Sequence, residues 1–379
     1  MYFELNAEQL ALKDSLQRAL RDRYGFEMRR GYAATEAGHD TVTWHNLAEL
    51  GVLALPIPEA CGGFSGGARD LFPIMQAFGE ALSLEPFLAS SVLGATAIQL
   101  ADDTTMARDT LPGVAAGTTR LAWAHDEHAG RHAATWIETT ANQKGGSWRL
   151  TGQKVNVLGG PTADKFVVSA RTNGASGDSE GCALFLVDAN ASGLQKRDFR
   201  FIDETAASTL DLTDVAALPL GDHLDGARAS LAIDRTIALG TAAVCADMLG
   251  AANAAFQLTV GYINTRKQFG RFIGENQALR HRAAEMLVSL ELAKSMAIAA
   301  AVAVDDPAST DAALDLHRAK LSVGRHARIV AHGAIQLHGG IGMTQEYAVG
   351  HYLCRIHVLD QLFGDSDAHA GRLAALAGI

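Results

Sequence analysis

Residues 265–281, TRKQFGRFIGENQALRH, set Arg266, Lys267, Gln268 and Arg271 in one short break between hydrophobic stretches that otherwise read as helix. A guanidinium offers fixed, bidentate donors to phosphate or carboxylate, so a turn carrying this set has the chemistry to hold an anion. Gly270 and Gly274 let the chain reverse there, and Gln277 and His281 fall on one face of the following helix at i and i+4. A plainer reading stands beside this one, since helix ends collect basic residues that offset the macrodipole. A second glycine-rich break, AIQLHGGIGMTQEY, follows about sixty residues later. There Gly339, Gly340 and Gly342 would let backbone amides approach a phosphate or a ring, although glycines also simply end helices. His338 of this break reads as a packing or hydrogen-bonding residue at the turn.

Other reactive residues form weaker patterns. His125, His128 and His132 lie close together, but their mixed spacing in a loop-and-strand region is not a metal-ligand pattern. Cys61, Cys182, Cys245 and Cys354 are far apart, with no CxxC pair, which suits reduced thiols and implies no zinc site.

These residues must be positioned by a substantial fold. The chain has 379 residues, 48% hydrophobic and 20% charged, enough for two or three domains and unlike a disordered composition. Net charge is -10 with no Lys/Arg block, which argues against a nucleic-acid partner. The longest apolar run, AKSMAIAAAVAV, is about a dozen residues, too short to span a bilayer, and a cytoplasmic protein is expected.

The helical period governs the chain to about Leu111, with Asn6 an N-cap candidate and PEACGGFSGG a loop between helices. Short β-rich runs follow: TWIETTA, WRLTGQKVNVL, KFVVSART and CALFLVD, separated by glycine-rich turns. After GDHLDG the chain is alanine-rich and helical again. Segregated α, β and α blocks predict an α+β protein rather than a doubly wound sheet. The expected domains are 1–117 (helical), 118–222 (β) and 223–379 (helical).

Together these segments resemble the acyl-CoA dehydrogenase family over nearly the whole chain. LAELGVLALPIPEACGGFSGG resembles the first-domain helix and glycine turn, WRLTGQKVNVLGGPTADKFVVSART the middle-domain strands, and YINTRKQFGRFIGENQALRHRAAEM the carboxy-terminal motif. The resemblance implies a helical domain, a β-barrel or sandwich domain and a carboxy-terminal four-helix bundle. It also implies FAD held non-covalently between protomers of a dimer or dimer of dimers. By position, Arg266 matches the arginine that pairs with the FAD pyrophosphate of the neighbouring subunit. Gln268, Phe269 and Gln277 match further dinucleotide contacts, and Gln336, Gly339 and Gly340 match the turn at the adenine end.

The implied reaction is α,β-dehydrogenation of an acyl-CoA thioester: a carboxylate removes the α proton, the β hydride goes to flavin N5, and an electron-transferring flavoprotein reoxidises the flavin. This chain departs from the pattern at several points. LAWAHDEHAGRH stands where many members carry AxTEPxAGSD, and Val157, Leu158 and Gly159 stand in place of WIT, so flavin stacking there is weaker. Where common members place the base in YEGT, this chain has QLFGDSDAH, with Phe363 at the glutamate position. A second branch carries the base on the first helix of the last domain, where Asp247 lies among Val244, Cys245, Ala246, Met248 and Leu249; an apolar pocket would keep it a competent base. Asp365 and Asp234 are alternatives, as is a chain without a base of its own. Arg235 is on the same helix without an assigned role, and Glu346 reads as structural.

Within the family the chain is similar to a bacterial branch with LFGD endings, like the small subunit of pimeloyl-CoA dehydrogenase and steroid side-chain dehydrogenases. Some of these are α2β2 assemblies in which one subunit completes the FAD site of the other. The expected activity is therefore a dehydrogenase, as homodimer, homotetramer or α2β2 assembly. The alternatives are an FAD-supporting, non-catalytic subunit and an oxygen-using flavin oxidase on the same fold.

Overall fold

The first helix starts where Asn6 caps it. The Asn6 side chain accepts from the Gln9 amide while the Gln9 side chain accepts from the Asn6 amide, a reciprocal capping box. The computed structural model describes residues 5–101, 103–178, 180–221 and 226–378. The expected boundary at 222/223, within GDHLDG, lies outside the described residues.

In chain order the amino-terminal helices are α1 (Ala7–Arg23), α2 (Phe26–Ala33), α3 (Thr41–Glu49), α4 (Ala68–Ala81), α5 (Ala95–Leu100) and α6 (Thr104–Ala115), with a π-helical segment Leu88–Gly94 leading into α5. The strands are β1 (Leu121–Ala124), β2 (Thr140–Lys144), β3 (Ser147–Leu158), β4 (Lys165–Arg171), β5 (Cys182–Asp188), β6 (Leu194–Arg200) and β7 (Ala206–Leu220). Then come α7 (Gly226–Thr265), the hairpin β8 (Lys267–Gln268) and β9 (Arg271–Phe272), α8 (Gln277–Asp305), α9 (Ala312–His338), α10 (Ala348–Gln361) and α11 (Ser366–Leu376).

The β segment curls into a barrel. Strands run β4-β2-β3-β7-β5, and β5 pairs back onto β4, while β1 adds in parallel to β4 and β6 extends β7. Period-two alternation points Phe166, Val168 and Ala170 of β4 and Ala183, Phe185 and Val187 of β5 into one core. The expected strand TWIETTA is only partly strand, because Trp136 and Ile137 precede β2. That approach is ordered instead by buried Arg171, whose guanidinium donates to the carbonyls of Ile137, Asp178 and Glu180.

By packing, the chain forms two compact units. One contains the described residues of Met1–Arg30, Ala68–Ser83 and Thr241–Ile379; the other contains Gly31–Gly67 and Leu84–Gly240. In the first, α8, α10 and α11 pack on α9. Gly79 of α4 and Gly250 of α7 allow their helices to touch backbone to backbone, since a Cβ at either would overlap a carbonyl of the other helix.

Length and composition alone would let α7 and α8 cross a membrane, contrary to the expectation from the longest apolar run. The reason is that scattered polar residues divide each helix without lowering its average. In α7, 72% of the most apolar window is buried inside the protein, as for a core helix.

Candidate active site

The basic break is a β-hairpin rather than a loop. Phe269 (φ 55°) and Gly270 (φ 82°) form its two-residue turn with both dihedrals positive, the type I′ geometry that matches strand twist. An aromatic residue is costly at that φ, and Phe269 is 99% exposed with its ring covered by nothing. The structure separates the basic residues by commitment. Lys267 lies over the Phe272 ring, 4.6 Å from its centroid. Arg271 donates to Asn276 Oδ1 at 2.5 Å and Arg280 to the Gly274 carbonyl at 2.6 Å. Arg266 has no side-chain partner among the described residues and is exposed. It is therefore the member of the set left open for an anion. Gln268 is exposed beside it, and Gln277 and His281 are exposed on the first turns of α8.

The second break lies against the end of α7 that leads into this one. Tyr262, near the end of α7, stacks on His338 at the end of α9, with centroids 4.4 Å apart and planes at 27°, and Tyr347 closes on both rings. This aromatic trio brings Arg266 and the HGG turn to the same end of the bundle. His338 packs and hydrogen-bonds, its Nδ1 2.8 Å from the Ala334 carbonyl, and burial lowers its pKa. Gly339 has φ 65°, which favours glycine. Gly340 has no such backbone demand, and no atom lies within 4 Å of a Cβ built on it. Neither dihedral nor internal packing asks for glycine at 340, so the backbone there is open to its surroundings. Gln336 is exposed one turn earlier on α9. Sequence spacing alone could not find the Tyr262–His338–Tyr347 cluster.

The carboxylate positions differ from expectation. Asp247 is fully buried, but its pocket is not apolar: Arg355 of α10 donates from Nη2 to Oδ2 at 2.5 Å and from Nε to Oδ1 at 3.1 Å. Both oxygens are engaged by a guanidinium 108 residues away, a partner invisible to the local run VCADML. Such a bidentate pair is charge-assisted and fixes the carboxylate's orientation. Asp365 caps α11, accepting from the Ala368 amide at 2.8 Å. Asp234 and Arg235 are on the exposed side of α7, and Glu346 is exposed. Phe363 occupies the left-handed region (φ 62°) just before Gly364.

In the other unit, the segment standing in place of AxTEPxAGSD forms a buried polar network. Lys154 is fully buried and donates to Glu127 Oε1 (2.7 Å), the His125 carbonyl (3.1 Å) and Ser169 Oγ (3.0 Å). Burial works to raise Glu127, but the Lys154 charge and bonds hold it below its usual value. His125 stacks on Trp123 (centroids 5.4 Å, 18°), and its Nδ1 is 2.9 Å from Ser169 Oγ. Burial, helped by Lys154, pushes its pKa down to about 3, so this imidazole is neutral. His128 and His132 are exposed and do not converge with it. Among the described residues no cluster of three or more His, Cys, Asp or Glu side chains could hold a metal. Val157 and Leu158 are buried, and Gly159 turns with φ 67°.

Comparison with known proteins follows the same division. Models of the acyl-CoA dehydrogenase N-terminal, middle and C-terminal domains match residues 6–118, 122–215 and 230–377. Acyl-CoA dehydrogenase FadE27 of Mycobacterium tuberculosis (strain ATCC 25618 / H37Rv) is 30% identical over 336 residues, 86% of this chain and 85% of that protein. Among solved structures, a variant of the Tcur3481-Tcur3483 steroid ACAD is 29% identical with TM-score 0.86, covering 98% of each chain. An FAD complex of PigA, 21% identical with TM-score 0.88 over 100% of this chain and 99% of that one, shares the fold. The three-domain architecture, the YxxxRxQFG hairpin and the QLHGG turn thus converge, and the chain belongs to the acyl-CoA dehydrogenase family, a family of oxidoreductases.

Proposed function

We propose that this chain serves the FAD-dependent α,β-dehydrogenation of an acyl-CoA thioester as the cofactor-supporting subunit of a heteromeric dehydrogenase, with the proton-abstracting carboxylate on its partner. The observation that carries this reading is the closed Asp247–Arg355 pair, together with Phe363 at the other base position. An aspartate whose two oxygens already accept from a buried guanidinium is a weakened base, since protonation gives up part of that charge-assisted pairing, and a phenyl ring cannot take a proton at all.

FAD, when bound, supplies the hydride acceptor. The residues present fit its dinucleotide end. Arg266, with no side-chain partner among the described residues, has a guanidinium available for the pyrophosphate, and Gly339 and Gly340 leave backbone open to the adenine end. Gln268, Gln277 and Gln336 offer side-chain amides from exposed positions, and Phe269 offers an uncovered apolar face. Likeness to a steroid ACAD whose name joins two components, Tcur3481-Tcur3483, supports both a heteromer and a bulky acyl group. An electron-transferring flavoprotein is the proposed electron acceptor.

Exchange of the α protons of an acyl-CoA in D2O tests the assignment of the base. The FAD-loaded chain alone is expected to exchange no faster than buffer. Rapid exchange that Asp247→Asn abolishes would return the base to this chain and overturn the proposal.

A further inference from the structure

The barrel unit holds, in Lys154, a fully buried ammonium with no role in the chemistry above. An ammonium has three protons to donate and accepts none. Burial pulls the Lys154 pKa down, and the Glu127 carboxylate, 2.7 Å from Nζ, pulls it back up. Burial would raise Glu127 in turn, but the Lys154 charge holds it below its usual value, so the two form an ion pair. The three protons go to Glu127 Oε1, the His125 carbonyl and Ser169 Oγ. Ser169 Oγ therefore accepts from Lys154 and has its own proton to give to His125 Nδ1, 2.9 Å away. A neutral imidazole whose Nδ1 accepts carries its proton on Nε2. With Nδ1 taken, the hydrogen bond of this ring to the Ala134 backbone falls to Nε2. Donation thus runs one way, from Lys154 to Ser169 to His125 to Ala134.

Ala134 belongs to the connection between β1 and β2, residues 125–139, whose one regular element is the 3-10 turn His128–Gly130. Glu127 accepts from the Glu138 and Thr139 amides at the far end of this connection, and Arg171 donates to the Thr135 and Ile137 carbonyls. Between those anchors His128, Arg131 and His132 are exposed. Arg131 has φ 49°, a left-handed conformation that a non-glycine residue keeps only where its surroundings over-determine the backbone. A fully satisfied buried network does that, and fails as a unit when one member is lost.

We propose that Lys154 is a positioning residue: acting through Ser169 and His125, it fixes the 125–139 connection in the arrangement that completes the FAD site of this chain. The proposal rests on the cofactor reading above and deepens it. The segment in place of AxTEPxAGSD has lost that sequence, and the buried relay supplies its order instead.

Selective 15N labelling of the histidines reads the tautomer directly. The His125 signals, identified by their loss in His125→Gln, are expected to show the Nε2–H form at neutral pH. An Nδ1–H form would reverse the direction of donation and overturn the proposal. Ser169→Ala cuts the relay at its middle and leaves the Lys154–Glu127 pair whole. Its FAD dissociation constant, from flavin fluorescence, should rise at least about tenfold, the worth of one charge-assisted hydrogen bond. Amide hydrogen exchange should quicken at Trp136 and Ile137 and stay unchanged in β4 and β5. Lys154→Met combined with Glu127→Gln removes both charges, leaving no lone ion buried, and should weaken FAD as much. Either variant binding FAD as tightly as wild type would overturn the proposal. Wild type that binds no FAD would instead sink the cofactor reading, and the proposal with it. Failure of the base assignment would appear separately, as α-proton exchange by the lone chain.

Discussion

Asp247 and Arg355 show what a residue-level reading can and cannot reach. The position of Asp247 in the first helix of the last domain is local and legible, but the guanidinium that decides its chemistry comes from α10 and is found only by folding the chain. The reverse holds for Arg266: its motif is contiguous, and the structure adds that its basic neighbours are committed while it has no side-chain partner among the described residues. Replacing Asp247 by Leu leaves Arg355 buried without its carboxylate and should cost about 3–5 kcal/mol in urea denaturation. Adding Arg355→Met should restore most of that stability, because an apolar pair of similar volume is close to neutral. A double variant no more stable than the single one would contradict the ion-pair account.

The hairpin and α11 carry the predictions at the scale of elements. Phe269 holds a left-handed turn position at a cost of about 1 kcal/mol, with no internal packing to offset it. Phe269→Asn is therefore expected to raise the thermal midpoint of the chain slightly while weakening FAD retention; lower stability with unchanged retention would show that the ring serves the fold. On α11, buried His369 faces His317 of α9, Nδ1 to Nδ1, at 3.0 Å. Burial, with Lys320, Arg372 and His317 adding to it, pushes His369 down to about 3. The unfolded histidine takes its proton near pH 6.5, whereas the folded one resists, so stability is full above that pH and falls as pH drops toward 3. By pH 5 the loss should be on the order of 1–2 kcal/mol. His369→Gln should flatten that part of the pH profile, and an unchanged slope would exclude His369 as its source. Helix periods, the Asn6 cap and the β-rich runs were legible because each is local. The pairing of β5 back onto β4 and the π form of the expected helix at Leu88–Gly94 were not, since both depend on partners distant in sequence or on packing.

At the scale of the whole molecule, the segregated α, β and α blocks and the family motifs revealed the architecture. Division into two packed units was not legible, because Gly31–Gly67 joins the barrel unit and Ala68–Ser83 the bundle unit through long-range contacts alone. The cysteines follow that packing: Cys61, Cys182 and Cys245 are buried, and burial pushes the Cys245 thiol up to about 12. A native thiol titration should find Cys354 as the fastest-reacting group and all four only after denaturation; fast reaction at Cys245 would contradict its burial. The central claim is that this acyl-CoA dehydrogenase chain supports FAD but borrows its base. The most direct measurement is the anaerobic visible spectrum of the chain purified alone and supplied with FAD, as short, long, dicarboxylic and steroid acyl-CoAs are added in turn. The account predicts a flavin spectrum that no thioester bleaches, whereas bleaching by any one class would establish a self-sufficient dehydrogenase and contradict it.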